Sequence, residues 1–170
     1  MSRQYSMPMH STFRVFLAVA FMAMLSGCAT FGLGGNSAGV KVVGKQTYCG
    51  TPSQASDVHY FATDEAFQNW VSYRDIGSWH ENVPPRGLVV VEMGQRPTGG
   101  YALELDDKKT RVNDGTLQIA MDWHAPRLDA AVSQAMTTQC VALALPAGDY
   151  DNVTIVDQLG NSRGTVNPNE

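Results

Sequence analysis

Three histidines lie next to acidic residues in the sequence, a pairing that could bind a metal ion or transfer protons. The pairs are Asp57/His59, His80/Glu81 and Asp122/His124. No two histidines have the HxH or HxxxH spacing that places two ligands on one metal ion, so we expect no metal site. The sequence also has no GxSxG motif and no cysteine in a recognisable catalytic context. We therefore expect a protein that is not an enzyme, with no cofactor and no small-molecule substrate.

The N-terminal segment has the pattern of an export signal. Two arginines supply positive charge, and residues 15–25 are almost continuously apolar. A segment of this length is too short to span a bilayer as a stable helix and is typical of a signal sequence. The sequence Leu-Ser-Gly-Cys that ends at Cys28 resembles the lipobox of bacterial lipoproteins. The resemblance implies that residues 1–27 are a removed signal peptide and that Cys28 carries acyl chains. An ordinary secretory signal with an incidental cysteine is the alternative.

The expected lipid anchor determines where the protein is located. Several acyl chains on one cysteine bind a membrane firmly, because each buried methylene contributes about 0.8 kcal/mol. Ala29 follows Cys28, whereas the inner-membrane retention signal of enterobacteria-like systems has aspartate there. We therefore expect an outer-membrane lipoprotein of the bacterial cell envelope, with palmitate-type acyl chains, facing the periplasm or the cell surface. No other stretch of the sequence is long and apolar enough to cross a membrane.

The charge balance argues against two classes of partner. The whole chain has a formal net charge of −4. Residues 1–27 contain two basic residues and no acidic one, so the remaining chain carries −6. A chain with this charge and no basic run is unsuited to nucleic acid or to anionic lipid headgroups. The membrane is therefore expected to hold the protein through its lipid chains.

Cys49 and Cys140 are the two cysteines that remain after lipidation. Because the cell envelope is oxidising, we expect them to form one disulfide. It would close a loop of about 90 residues and stabilise the fold by up to about 4–5 kcal/mol in the chain-entropy model. Two buried free thiols are the alternative. Neither cysteine has the spacing of a zinc site or of a redox CxxC motif.

The pattern of apolar residues predicts a mainly β fold with one helix. The helix begins at Thr63-Asp64-Glu65, with an N-cap and two acids, and apolar residues at helical spacing continue it to about Arg74. Apolar runs or alternation predict strands near residues 40–48, 88–93, 101–105, 117–123, 141–145 and 153–155. The run at 88–93 is apolar on both faces, which predicts a strand covered on both sides. Short strands at this spacing are typical of a small antiparallel β-sandwich or a barrel-like domain.

Composition divides the chain into four segments. Residues 1–27 are the expected signal peptide, and the small, Gly-rich residues 28–39 are expected to form a flexible tether of about 17–20 Å r.m.s. span. A single β-rich domain is expected over residues 40–158. The polar residues 159–170 are expected to form a frayed C-terminal tail.

One connection, GQRPTGG at residues 94–100, has features that suit contact with a protein partner. Arg96, Pro97 and Thr98 offer a rigid backbone and hydrogen-bonding groups at its tip. A plain hairpin, in which a glycine takes a positive φ, is the alternative. The two glycines do not open a helix and no lysine follows them, so we expect no phosphate-binding loop. The expected partner-binding loop consists of Arg96, Pro97, Thr98, Gly99, Gly100 and Tyr101.

Three segments together resemble the C-terminal domain of the protease complex subunit PrcB family, namely VVVEMGQRPTGGYALEL, TDEAFQNWVSY and TTQCVALALP. The shared pattern is an apolar strand, a G-x-x-P-T-G-G-Y motif, an alternating strand and a later strand start, over about residues 60–158. Cys140 departs from the pattern, because the family often has proline there. The resemblance implies a secreted or lipoprotein accessory subunit that is a non-catalytic companion of a protease.

These patterns leave three functions open. The first is a lipid-anchored, protein-binding accessory subunit whose partner is an envelope protease. The second is a structural envelope lipoprotein in which residues 94–100 form only a turn. The third is a protease inhibitor, because the loop also resembles the N-P-T-T-G-Y loop of chagasin-type cysteine peptidase inhibitors. Arg96 then replaces the asparagine and Gly99 the second threonine, and no R-P-W-like partner loop accompanies it.

Overall fold

The computed structural model describes residues 38–50, 53–74, 76 and 79–170. The expected signal peptide, Cys28 and residues 29–37 of the expected tether lie outside this part of the chain. None of its helices is long and apolar enough to cross a membrane. The described residues form one helix and nine strands: β1 Lys41–Gln46, β2 Asp57–Phe61, α1 Asp64–Tyr73, β3 Leu88–Glu92, β4 Ala102–Leu105, β5 Arg111–Asn113, β6 Thr116–His124, β7 Cys140–Ala144, β8 Asn152–Val156 and β9 Ser162–Val166.

The strands form two sheets. The first has the order β1-β7-β3-β2, and its neighbouring strands are antiparallel. The second has the order β4-β6-β8-β9, with β5 also paired to β6. Within it β6 and β8 are parallel, because the chain passes through β7 of the first sheet before it returns as β8. The mainly β class with one helix is confirmed, and this parallel pair is the departure from the antiparallel sheets that the sequence predicted.

Strand β3 lies between two apolar clusters. Val89 and Val91 contact the cluster that fills the space between the sheets. Leu88 and Val90, which alternate with them, contact a second cluster beneath α1. Because successive side chains of a strand point to opposite faces, every residue of β3 is buried. The prediction of a strand covered on both faces is therefore confirmed, and β3 fixes the start of residues 94–100.

Helix α1 begins and ends where the sequence predicts. Thr63 is its N-cap, and Thr63 Oγ1 accepts a hydrogen bond from Ala66 N at 3.2 Å. Phe67 and Val71 are buried in the cluster between the helix and the first sheet. The helix ends at Tyr73, and the C-cap residue Arg74 donates its backbone N–H to Val71 O. The apolar stripe of the helix thus covers the outer face of the first sheet.

Two of the histidines lie within ion-pair distance of a carboxylate. Glu92 is fully buried, and its Oε1 lies 2.7 Å from Arg74 Nη1 and 2.9 Å from His59 Nε2. A buried carboxylate is tolerated when a cationic partner such as Arg74 contacts it in this way. His124 Nε2 lies 3.5 Å from Glu104 Oε2 on the neighbouring strand. Among the described residues no group of three or more metal-ligating side chains is present.

Cys49 and Cys140 form the expected disulfide. Their Cα atoms are 6.1 Å apart, and both residues are buried. Cys49 lies just beyond β1, and Cys140 is the first residue of β7. Cys49 N also donates to Thr138 O at 3.0 Å. The disulfide therefore fastens the N-terminal edge strand to the start of a central strand.

The C-terminal segment, expected to fray, contains strand β9, which pairs with β8. The carboxylate of Asp157 organises the connecting turn and accepts hydrogen bonds from Leu159 N at 2.9 Å, Asn161 N at 2.9 Å and Arg163 Nη2 at 2.7 Å. Burial raises the pKa of Asp157, but these hydrogen bonds outweigh burial and lower the pKa to about 2. The expectation of a frayed tail is wrong because a buried polar side chain, not an apolar pattern, holds this hairpin.

Candidate protein-binding surface

Residues 94–100 connect the two sheets. The chain leaves β3 of the first sheet after Glu92 and enters β4 of the second sheet at Ala102. A hairpin joins two paired strands of one sheet, so the hairpin interpretation of this loop is wrong. We call residues 93–101 the first crossover.

A second crossover, residues 125–139, returns from β6 to β7 and packs against the first. Arg96 N donates to Thr137 O at 2.8 Å, and Thr137 N donates to Arg96 O at 3.0 Å. Thr137 Oγ1 donates to Thr98 O at 3.0 Å, and Gly99 N donates to Ser133 O at 2.8 Å. These hydrogen bonds join the two crossovers along their length, so that they form one surface.

Two glycines permit close packing of the first crossover, Gly94 against residues 54–55 and Gly100 against the second crossover. Gly94 has a φ of +81°, and a Cβ there would lie 2.5 Å from Ala55 O. Gly100 has a φ of +83°, and a Cβ there would lie 2.8 Å from Val132 Cγ1. Residues with a side chain rarely adopt such φ values, and neither position has space for one. A Cβ at Gly99 would lie 3.4 Å from its nearest neighbour, an ordinary contact.

The side chain of Arg96 folds back onto the backbone. Its guanidinium donates to the carbonyl oxygens of Met93 at 2.6 Å, Gln95 at 3.0 Å and Gln54 at 3.2 Å. Arg96 is half-buried, and its Cζ lies 6.0 Å from the centre of the Tyr101 ring. The expectation of an exposed Arg96 tip is wrong, because the several N–H donors of a guanidinium satisfy carbonyls that lie outside the strands.

Thr98 and Tyr101 are also only partly exposed. Thr98 Oγ1 donates to Gly99 O at 3.1 Å. Tyr101 packs against the cluster between the sheets, as the alternation from Tyr101 to Leu105 predicts. Among the residues of the expected partner-binding loop, Pro97 and Gly100 are the exposed ones. A partner that contacts this loop would therefore meet its backbone and Pro97 first.

A shallow depression lies beside Pro97. Its volume is about 360 Å³, and its lining residues are Gln54, Gln95, Arg96, Pro97 and Met136. Met136 comes from the second crossover and is 66% exposed. A methionine side chain adapts its shape to a partner, and methionine is enriched in protein interfaces. The depression combines an apolar part, Pro97 and Met136, with hydrogen-bonding glutamines, a composition that suits contact with a protein.

The sequence indicated the first crossover but not its two neighbours. Gln95 N donates to Ser53 O at 2.8 Å and so holds the segment whose Gln54 lines the depression, although no motif marks that segment. Residues 125–136 contain neither helix nor strand, and their apolar residues follow no period. The length of the second crossover was the one signal in the sequence that could have indicated a functional segment. A connection of about 15 residues is longer than most loops between strands and is often functional.

Residues 88–146 match the family model described as PrcB C-terminal. The match begins with β3, includes both crossovers and ends just after β7. A search of curated proteins and a search of solved structures return no significant match. The resemblance inferred from the sequence is therefore confirmed over residues 88–146. The matched residues include Arg96, Pro97 and Met136 of the depression, whereas Gln54 lies outside the match.

Proposed function

We propose that this protein is a lipid-anchored, non-catalytic accessory subunit that binds a component of an envelope protease complex. The observation that carries the proposal is the match of residues 88–146 to the PrcB C-terminal family, which indicates an accessory protein associated with a protease complex. The match includes both crossovers, and these form the surface with the features of a protein-binding site.

The rigidity of the surface supports a binding role. Association is weakened when a loop must become ordered on contact. The backbone hydrogen bonds between Arg96 and Thr137 and the contacts of the Arg96 guanidinium hold the first crossover in one shape. Pro97 then presents apolar area that needs little further ordering. A partner would lose little binding energy to the ordering of the first crossover.

The N-terminal motif supports anchoring. Acyl chains on Cys28 would lie about a dozen residues before β1, which begins at Lys41. A Gly-rich tether of this length spans about 17–20 Å, so the domain would remain near the membrane surface. Confinement to the membrane raises the effective concentration of the domain toward partners in the same membrane.

The roles of the titratable side chains support a non-catalytic function. The most buried histidine–acid contact, His59 with Glu92, lies beneath α1 and is shared with Arg74. It serves the packing of the helix on the first sheet. Regulation or positioning of a protease needs no reacting group on the accessory subunit.

Copurification from the native cell envelope tests the proposal. The full-length protein with a C-terminal affinity tag is extracted in mild detergent, and the bound proteins are identified by mass spectrometry. We expect a protease or a non-catalytic component of its complex, and we expect Met136→Glu to reduce its recovery. Recovery of no protein partner would favour a structural lipoprotein. Stoichiometric inhibition of a papain-like enzyme by the purified protein would favour the inhibitor alternative.

A further inference from the structure

Leu128 is an apolar side chain that the second crossover holds in solvent. It is fully exposed, more so than any other large apolar side chain among the described residues. It occupies the first central position of a β-turn at residues 127–130, which Ala130 N closes by donating to Arg127 O at 3.0 Å. The turn places a leucine in solvent at a position where turns usually carry a polar residue or a glycine.

An ion pair brackets Leu128. Arg127 Nε donates to Asp129 Oδ1 at 3.0 Å, and Arg127 Nη2 donates to Asp129 Oδ2 at 3.1 Å. This two-point geometry is the directional form of an arginine–carboxylate contact. Both side chains are exposed, so the pair contributes little to folding stability. It links the two residues that flank Leu128, and it pairs their opposite charges.

The ends of the segment that carries the turn are fixed to the first crossover. Pro126 and Val132 both lie against Gly100, where an added Cβ would be 2.9 Å and 2.8 Å from their side-chain carbons. Ser133 O accepts the hydrogen bond from Gly99 N at 2.8 Å. The residues on both sides of the turn therefore pack against the first crossover, which contains Pro97.

We propose that Leu128 is the anchor residue of the binding surface, and that it inserts into an uncharged apolar pocket on the protein partner; this inference rests on the proposed function. A leucine on a restricted turn loses little conformational freedom when it is buried by a partner. The internal ion pair leaves the tip neutral, so an apolar pocket receives it without an unpaired charge. An aliphatic anchor seated in a pocket can form the centre of a binding interface.

Affinity measurements on turn variants of the full-length protein test the inference, with the copurified partner as the ligand. We expect Leu128→Ala to raise the Kd by about tenfold or more, and Leu128→Asp to raise it further. The melting temperatures of both variants should stay at the wild-type value. The matched control is Leu159, which is 81% exposed in the turn between β8 and β9. Leu159→Ala and Leu159→Asp should bind as the wild type does.

The outcomes separate this inference from the proposed function. Wild-type affinity in Leu128→Asp together with weak binding in Met136→Glu would overturn the anchor and leave the proposed function standing. Equal losses in Leu128→Asp and Leu159→Asp would also overturn it, because the effect would then not belong to one turn. The absence of any protein partner for the wild type would overturn both.

A double variant tests the role of the ion pair. Arg127→Ala with Asp129→Ala leaves Leu128 in place but removes the contact that links its two neighbours. We expect the Kd to rise by about threefold, since part of the ordering is then lost on binding. An unchanged Kd would overturn the claim that the ion pair prepares Leu128 for its pocket.

Discussion

Arg96 and Thr137 exchange two backbone hydrogen bonds, of 2.8 and 3.0 Å, as an isolated antiparallel bridge between the two crossovers. The bridge lies outside both sheets, yet each segment that it joins connects one sheet to the other. The shape of the surface therefore depends on the packing of both sheets. Within this surface the side chains divide into those that hold the loop, such as Arg96, and those that are free to meet a partner, such as Met136.

Replacement of Arg96 by lysine should destabilise the fold although the charge is kept. The lysine ammonium is a compact group on a flexible stem and cannot reproduce the planar fork that reaches the carbonyls of Met93 and Gln54. We expect Arg96→Lys to lower the free energy of unfolding by about 1–3 kcal/mol, measured by denaturant titration. Gln54→Ala, which removes an exposed side chain and keeps the carbonyl, is the control and should change stability by about 0.5 kcal/mol or less. Equal stability of Arg96→Lys and the wild type would show that Arg96 does not hold the loop.

Two adjacent glycines should respond differently to substitution. Gly100 has a positive φ and no space for a side chain, whereas Gly99 has neither restriction. We expect Gly100→Val to cost about 1–3 kcal/mol of stability and to weaken partner binding, because Val132 and Pro126 must move. Gly99→Ala should melt within a few degrees of the wild type. If Gly100→Val were as stable as Gly99→Ala, the close packing of Gly100 against Val132 and Pro126 would be contradicted.

The apolar periodicity of the sequence was sufficient to predict the helix and the strand that pack against apolar clusters. Phe67 and Val71 at helical spacing predicted α1, and the unbroken run from Leu88 predicted a strand buried on both faces. The disulfide followed from the compartment and the number of cysteines. For α1 and β3 the pattern reports on burial directly, because apolar spacing marks the faces that leave solvent.

The sequence predicted neither β2 nor β5. Other features that escaped prediction depend on polar contacts or on the path of the chain. Strand β9 is held by the carboxylate of Asp157, which no period of apolar residues marks. Arg96 was expected at an exposed tip, since only the fold places the Met93 and Gln54 carbonyls beside it. The parallel pairing of β6 with β8 follows from the path of the chain between sheets, and strand patterns do not specify that path.

The hairpin of β8 and β9 should respond to acid through Asp157. Its pKa in the folded protein is lowered from 3.8 to about 2, so its charged form stabilises the fold at pH values above about 4, and this contribution is lost as the pH falls to 2. Asp157→Asn should therefore be less stable than the wild type at neutral pH. The difference between the two should shrink between pH 4 and pH 2 in parallel denaturation experiments. A difference that stayed constant over this range would refute a stabilising charge at Asp157.

The proposed lipid anchor depends on one sulfur atom. We expect Cys28→Ser to yield unprocessed protein that incorporates no labelled palmitate, because the acyl chains attach through that thiol. Cys49→Ser with Cys140→Ser is the control and should still be processed and labelled at position 28. The measurement is radiolabel incorporation with fractionation of the envelope. Palmitate labelling that persists in Cys28→Ser would remove the lipoprotein assignment.

Site-specific photocrosslinking in intact cells tests the binding surface most directly. A photoreactive amino acid replaces Met136 or, as a control, Val112, which is 46% exposed on β5. Val112 pairs with Leu117 near the start of β6, whereas the second crossover begins after His124, at the other end of β6. Leu117 and His124 are seven residues apart along β6, a distance of roughly 20 Å, so Val112 lies at the end of β6 away from the start of the second crossover. We expect position 136 to crosslink to a component of a protease complex, identified by mass spectrometry, and position 112 to give no such product. Crosslinking of that component from position 112 but not from position 136 would contradict a partner-binding role for the paired crossovers.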